Sequence, residues 1–255
     1  MSESAGERLN IDGIEVEWRR NSRRRTRVGM AFDPGGFVIM DAPPSAKEDE
    51  IRALVAEHHR WLRVRLDKVK ASSEEVRALR YEAGELVHYL GDAYQLEVMT
   101  GPETRVDLRA RADGQLSLLA RTAFGEVTVT TSDISVEGVK GVLVDWMRSR
   151  ADEVFVERVA RWRDLPWLDD RLPTVRHKFM RSQWGSCSLD GKISLNTHLI
   201  KAPLALVDYV VLHELCHLRH HNHGKRFYAL MSRHMPNWQR RRSELDRFLP
   251  VLLQD

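Results

Sequence analysis

Residues 210–223 have the sequence VVLHELCHLRHHNH, in which His213 and His217 are four positions apart and Glu214 directly follows the first histidine. Residues four apart lie on the same face of an α-helix, so both imidazoles can reach one point in space. Imidazole nitrogen is a preferred ligand of Zn²⁺, which accepts about four ligands. Glu214 lies one position around the helix, where it can act as general base on a water molecule without binding the metal. The segment therefore predicts a helix that holds a zinc ion through His213 and His217.

His223 is the predicted third zinc ligand, although it lies six residues beyond His217 and a continuing helix would turn it away from the metal. Asn222 and Gly224 flank it, and both residue types tolerate the left-handed conformation that ends helices. We therefore expect the helix to end near His221 and a sharp turn to return His223 to the metal. Three protein ligands leave a fourth position open for water, which is typical of a catalytic zinc site.

An amphipathic surface helix with solvated histidines is the alternative explanation of this segment. A chance H-E-x-x-H motif in a chain of this composition has odds on the order of a few per cent, and a histidine at a further fixed offset lowers them roughly twenty-fold. The polar residues also have apolar neighbours throughout: Val210, Val211, Leu212, Leu215, Cys216 and Leu218. A helix this apolar is expected to be buried, and buried histidines and a buried glutamate need a partner. The pattern therefore favours a zinc hydrolase.

The composition restricts the class of protein. With 255 residues, the chain can form one large domain or two small ones without disulfide cross-links. The 40 Lys and Arg residues nearly balance the 37 Asp and Glu residues, so there is no overall attraction to nucleic acid or anionic membranes. Two cysteines are too few for a disulfide scaffold, and we see no signal peptide and no apolar run of about 18 residues. We expect a cytoplasmic protein without a membrane partner.

Two arginine-rich segments raise a nucleic-acid alternative. Residues 19–27 contain six arginines in nine positions, and Arg240, Arg241 and Arg242 are consecutive. Such runs can bind phosphate groups, but the balanced charge of the remaining chain favours solvated surfaces. A zinc protein that acts near DNA and a zinc module without catalytic activity therefore stay open as alternatives.

Hydrophobic periodicity predicts an α+β fold. We expect strands at residues 14–18, 28–32, 37–40, 86–90, 94–98, 106–110, 116–120, 127–131, 174–180 and 192–196. We expect helices at about residues 46–70, 136–162, 203–221, 225–234 and 238–248. Turn residues between the strands indicate a mainly antiparallel sheet in an N-terminal α+β region, residues 1–135, followed by a second domain, residues 136–255, that carries the H-E-x-x-H helix.

Three segments together resemble the YgjP-type zinc metallopeptidases, a group related to the SprT and WLM zincins. They are RSQWGSCS at residues 181–188, GKISLN at residues 191–196 and VLHELCHLRHHNHGKRFYALMSRHMPNW at residues 211–238. The likeness is strongest over residues 173–238. In the N-terminal half, an arginine-rich hairpin followed by a long helix matches the usual layout of the family.

The resemblance implies a small zincin-like catalytic domain with zinc-dependent peptidase activity. Carried over to this chain, it makes His213, His217 and His223 the metal ligands and Glu214 the catalytic base. It also makes residues 184–187 an edge strand beside the cleft. The metzincin pattern requires a glycine where this chain has His220, so the link to the third ligand is closer to the SprT-like arrangement.

The predicted reaction is hydrolysis of a peptide bond in a peptide or protein substrate. An extended substrate could bind the edge strand near Trp184 by strand addition, although Trp184 could equally be a core residue. Cys187 and Cys216 are expected to be packed, since neutral thiols are often buried. An oxyanion stabiliser is required, and the sequence does not rank the candidates, which are His220, His221, Tyr209 and Tyr228.

Overall fold

The computed structural model of the protein describes residues 7–21, 28–32, 37–74, 79–110, 123–168, 171–180, 183–188 and 190–252. These residues form helices and sheets in an α+β fold, which confirms the predicted class. The chain forms two compact units, one drawn from residues 1–77 with 181–183 and the other from residues 78–180 with 184–255. The boundary predicted between residues 135 and 136 lies within the second unit and stays a prediction.

The first unit contains a four-stranded sheet. Its strands are β1 (Glu7–Ile11), β2 (Ile14–Arg20), β3 (Gly29–Phe32) and β4 (Val38–Ala42), in the order β1-β2-β4-β3. Alternate residues Ile14, Val16 and Trp18 are buried, as expected for a strand with one face on a core. The sequence did not predict β1, and the β2–β4 pair is parallel, whereas the other pairs are antiparallel.

Helix α1 (Glu48–Glu74) covers this sheet with one apolar face. Ile51, Val55, Leu62 and Leu66 are buried at helical spacing. The predicted turn at residues 33–36 and most of the arginine-rich segment, residues 22–27, lie outside the described residues.

The second unit begins with another four-stranded sheet. Its strands are β5 (Leu86–Tyr89), β6 (Asp92–Thr100), β7 (Arg105–Ala110) and β8 (Gly125–Thr131), in the order β5-β6-β8-β7. The β5–β6 and β7–β8 pairs are antiparallel, and the β6–β8 pair is parallel. The strand predicted at residues 116–120 lies outside the described residues.

Helix α2 (Val136–Ala160) belongs to the core of the second unit. Its N-terminus is capped by Ser135, whose hydroxyl accepts a hydrogen bond from the Gly138 amide at 3.1 Å. Val139, Leu143, Met147, Ala151 and Phe155 form its buried stripe. None of the helices that the structure describes is long and apolar enough to cross a membrane.

A three-stranded sheet and three helices complete the second unit. The strands are β9 (Val175–Lys178), β10 (Gly185–Cys187) and β11 (Ile193–Asn196), in the order β10-β11-β9, so β10 is an edge strand. A 3₁₀ helix at Thr197–Lys201, which the sequence did not predict, leads into α3 (Leu204–His217), α4 (Lys225–His234) and α5 (Trp238–Leu252). Helix α5 extends beyond the predicted end at residue 248, and the Lys201 ammonium donates to the Leu252 carbonyl at 3.3 Å.

A buried ion pair joins α2 to α3. The Arg158 guanidinium donates to both carboxylate oxygens of Asp208, through Nε at 2.6 Å and through Nη2. The Arg158 side chain is 6% exposed and that of Asp208 is 18% exposed. The pair therefore fixes the position of α3 along α2 through two parallel charge-assisted hydrogen bonds.

Replacing Arg158 by alanine is expected to lower the free energy of unfolding by about 2 kcal/mol, because the partly buried Asp208 carboxylate is left without its partner. Arg148→Ala is a matched control: Arg148 pairs with Asp145 on an exposed surface, where the loss is expected to stay below about 1 kcal/mol. Urea denaturation of both variants measures the difference. Equal midpoints for the two variants would contradict the structural role of the pair.

Candidate active site

The C-terminus of α3 carries the first two predicted metal ligands, His213 and His217. The helix ends at His217, so the predicted end near His221 was wrong. A tight last turn ends it, in which the amides of Leu218 and Arg219 donate to the carbonyls of Leu215 and Cys216, at 3.2 and 3.1 Å. The Trp167 indole also donates to the Leu215 carbonyl at 2.9 Å, so this carbonyl accepts two hydrogen bonds at the end of the helix.

The chain returns to the site, but neither of the two residues predicted to favour a left-handed conformation adopts it. Neither Asn222 nor Gly224 has a positive φ, and Gly224 is extended, with φ −87° and ψ −177°, as the N-cap of α4. The segment from Leu218 to His223 therefore forms a short loop between α3 and α4. This loop brings His223 back to α3.

The side chains of His213, His217 and His223 meet at one point. The Nε2 atom of His213 lies 3.2 Å from that of His217 and 2.9 Å from that of His223. One ring nitrogen from each histidine lies within 4.8 Å of the others. Nitrogens about 2.0–2.1 Å from a tetrahedral zinc ion lie roughly 3.3 Å apart. The donor set therefore fits one metal ion.

Two further features suit metal binding. The Nδ1 atom of His217 lies 3.1 Å from the His220 carbonyl, so an N–H there donates to that oxygen and leaves the Nε2 lone pair free. Burial and the neighbouring histidines lower the pKa of His213 to about 3, and burial also lowers the pKa values of His217 and His223. The imidazoles are therefore neutral at physiological pH, as ligation requires.

Phe227 supports the three histidines, a role that the sequence did not predict. It is fully buried on α4, and its ring centre lies 4.9, 4.7 and 4.8 Å from those of His213, His217 and His223. The next residue of α4, Tyr228, stacks on Trp238 with their ring centres 5.1 Å apart. The sequence feature that could have indicated this role is an apolar residue in the first turn of the helix that follows the third histidine.

Glu214 directly follows His213 on α3 and is not one of the three clustered residues. The residue is 4% exposed, and within the described part of the chain its Oε2 atom has no hydrogen-bond partner. Burial raises the pKa of the carboxyl group to about 8. A buried carboxylate oxygen without a partner indicates that the site is built for a group that completes it, such as a water molecule.

The four candidates for the oxyanion stabiliser differ in their surroundings. His221 is exposed and His220 half-exposed, whereas Tyr209 is buried, with its ring centre 6.1 Å from that of His213. Burial raises the pKa of Tyr209 to about 12, so its hydroxyl stays protonated and can donate a hydrogen bond. Tyr228 is half-buried between His223 and Trp238.

Arg242 belongs to the surroundings of the site, although the sequence indicated only a solvated face. Its charge contributes to the lowered pKa values of His213 and His223. Arg240 and Arg241 instead pair with Glu244 on α5, at 2.8 and 2.9 Å. The three consecutive arginines therefore have two different environments.

The two cysteines and Trp184 are packed residues. Cys216 is fully buried, and burial raises the pKa of its thiol to about 12. Cys187 is half-buried on β10, where burial and then the nearby Glu214 charge raise the pKa of its thiol to about 11. Trp184 is half-buried against the core of the second unit.

No curated protein and no solved structure matches the chain. A family model described as the YgjP-like metallopeptidase domain matches residues 26–248. This match covers most of the 255 residues and confirms the resemblance drawn from residues 181–238. The chain belongs to the YgjP-like metallopeptidase family.

Proposed function

We propose that the protein is a zinc-dependent metallopeptidase that hydrolyses peptide bonds. His213, His217 and His223 hold the metal, and Glu214 is the general base. One observation carries the proposal: three neutral imidazoles converge through Nε2 atoms 2.9 and 3.2 Å apart, and Glu214, which directly follows His213, has a buried carboxylate oxygen with no hydrogen-bond partner among the described residues. Membership in a metallopeptidase family supports the same reading.

The donor set favours zinc among the common metals. Three imidazoles with no carboxylate or thiolate among them suit Zn²⁺ and leave a fourth position open, whereas Mg²⁺ and Ca²⁺ prefer oxygen ligands. When bound, the ion supplies Lewis-acid activation of a water molecule and of the scissile carbonyl.

Glu214 moves the proton that hydrolysis requires. Its carboxylate accepts a proton from the attacking water and donates it to the leaving amine nitrogen. Its burial weakens solvation of the ionised carboxylate and so favours proton acceptance. The buried Tyr209 hydroxyl is the proposed donor to the oxyanion that develops on the carbonyl oxygen.

The substrate is a peptide in extended conformation. Strand β10 pairs with β11 along one edge and is the last strand of its sheet in the described residues. Its other edge can therefore accept an extended peptide through backbone hydrogen bonds. This mode of binding recognises the backbone and sets no strict side-chain preference.

Neither alternative has a specific observation in its favour. Arg19 pairs with Glu17 at 2.5 Å and Arg20 lies over the Trp18 ring at 4.7 Å, so both have partners within their own strand. Residues 22–27 lie outside the described part of the chain. A cytoplasmic location stays a prediction.

Removal of zinc tests the proposal. The purified chain is expected to bind one zinc ion per molecule and to cleave members of a diverse peptide library. A chelator should abolish cleavage, and added Zn²⁺ should restore it. Elemental analysis measures the zinc bound per molecule, and mass spectrometry detects the cleavage products. A zinc-loaded chain that cleaves no peptide, or cleavage that persists without metal, would refute the proposal.

A further inference from the structure

Strand β10 approaches the active-site helix most closely at Gly185. A Cβ atom built on Gly185 would lie 2.6 Å from Oε1, 2.7 Å from Cγ and 2.9 Å from Cδ of Glu214. Non-bonded heavy atoms normally lie about 3.5–4.0 Å apart. The Glu214 carboxylate therefore occupies the space that any larger residue at position 185 would fill.

The backbone at this position does not itself require glycine. Gly185 has no positive φ, and it pairs with Leu195 in a regular antiparallel ladder. Gly191, which precedes β11, has φ +78° and is a turn glycine. Glycine within a strand weakens it, and it often marks close approach of another group. Here the group that approaches is a side chain, that of Glu214.

We propose that Gly185 is a positioning residue for the reaction, because its missing side chain lets the Glu214 carboxylate lie against β10. This inference rests on the role of Glu214 as general base. With Oε1 against the strand, Oε2 is a buried oxygen that has no hydrogen-bond partner among the described residues. Alternation along the strand gives Cys187 the same face as Gly185, and the Glu214 charge contributes to the raised pKa of Cys187.

A methyl group at position 185 should disturb catalysis more than folding. The three atoms nearest to it all belong to the end of one flexible side chain, and none belongs to the backbone or a histidine. The carboxylate can move away by about 1 Å while β10 stays paired with β11. Misplacement of a catalytic group by about 1 Å can cost about 100-fold in rate.

The test is Gly185→Ala, with Gly141→Ala as the matched control. Gly141 lies on an exposed position of α2, and an added Cβ there meets nothing within 4 Å. For Gly185→Ala we expect kcat to fall about 100-fold with KM within about twofold of wild type. Zinc content should be unchanged, and Gly141→Ala should match wild type in kcat, KM and zinc content.

Crystal structures of the metal-free wild type and Gly185→Ala provide a readout that does not depend on activity. We expect the Glu214 carboxylate to move by about 1 Å with the β10–β11 ladder retained. An unmoved carboxylate, a kcat within about threefold of wild type, or loss of zinc along with activity would each overturn the inference. If zinc-loaded wild type and Gly141→Ala cleave no peptide, the proposed function fails, and the carboxylate position still decides the role of Gly185.

A second variant covers the case in which Gly185→Ala does not fold. Combining it with Glu214→Ala removes the three atoms that the new methyl group meets. The double variant should then fold with the same unfolding midpoint as Glu214→Ala alone. A double variant that still fails to fold would place the obstacle elsewhere and overturn the inference.

Discussion

Glu214→Gln is expected to lower kcat by about 10²–10⁴-fold while zinc stays bound. Glutamine has nearly the shape of glutamate, so the space beside Gly185 stays filled and the three histidines are not disturbed. Its amide cannot accept a proton from water at neutral pH. The loss should therefore appear in kcat, with little change in KM. Steady-state kinetics on a cleaved peptide and elemental analysis of the same samples measure both quantities.

Glu126→Gln is the matched control for this substitution, because Glu126 is exposed on β8 in the same unit. It should leave both kcat and zinc content unchanged. A Glu214→Gln variant with wild-type turnover would remove Glu214 from the reaction. A wild-type protein that binds zinc but shows no turnover would instead favour the zinc module without catalytic activity.

Metal-free wild type and metal-free Glu214→Gln are also expected to differ in how their stability depends on pH. Burial raises the pKa of the Glu214 carboxyl group from 4.5 to about 8. Between these values the folded chain keeps a proton that the unfolded chain releases, so the free energy of unfolding falls as pH rises. Metal-free wild type should therefore lose stability relative to Glu214→Gln across this window in urea denaturation. A constant difference between the two would contradict the burial of the ionisable group.

His223→Ala is expected to weaken zinc binding by more than about 100-fold and to abolish hydrolysis. Loss of residues that only orient a ligand already costs about 10–100-fold in metal affinity, and His223 is a proposed ligand itself. His223 is exposed, so truncation removes little buried surface and the fold should persist. Competition with a chromophoric chelator measures the affinity, and circular dichroism verifies the fold.

His221→Ala is the matched control for zinc affinity. His221 lies on the same loop, is exposed, and is not one of the three clustered histidines. It should bind zinc as tightly as wild type does. If His223→Ala also kept wild-type affinity, the third ligand would have to come from another residue.

Local sequence patterns predicted many of the elements. Helix α4 has the predicted bounds, Lys225–His234, and α3 contains the pair His213 and His217 at the spacing of one helical turn. These features depend on interactions between residues a few positions apart, which the sequence displays directly. The parallel strand pairs were missed because they join segments that are distant in the chain. Strand β1 and the 3₁₀ helix at Thr197–Lys201 were also missed, although both are local: β1 pairs with β2 across the Asp12-Gly13 turn, and Asn196 caps the 3₁₀ helix.

The sequence by itself determined the chemistry of the site: three histidines and one glutamate, two of the histidines on one helical face. Their types and the four-residue spacing are fixed by the chain and by helix geometry. Only the tertiary structure decided where α3 ends, how His223 returns to it, that Phe227 lies against all three rings, and that Gly185 makes room for the Glu214 carboxylate. The reason is that helical periodicity is local, whereas contacts between a strand, a loop and two helices exist only after these elements have packed.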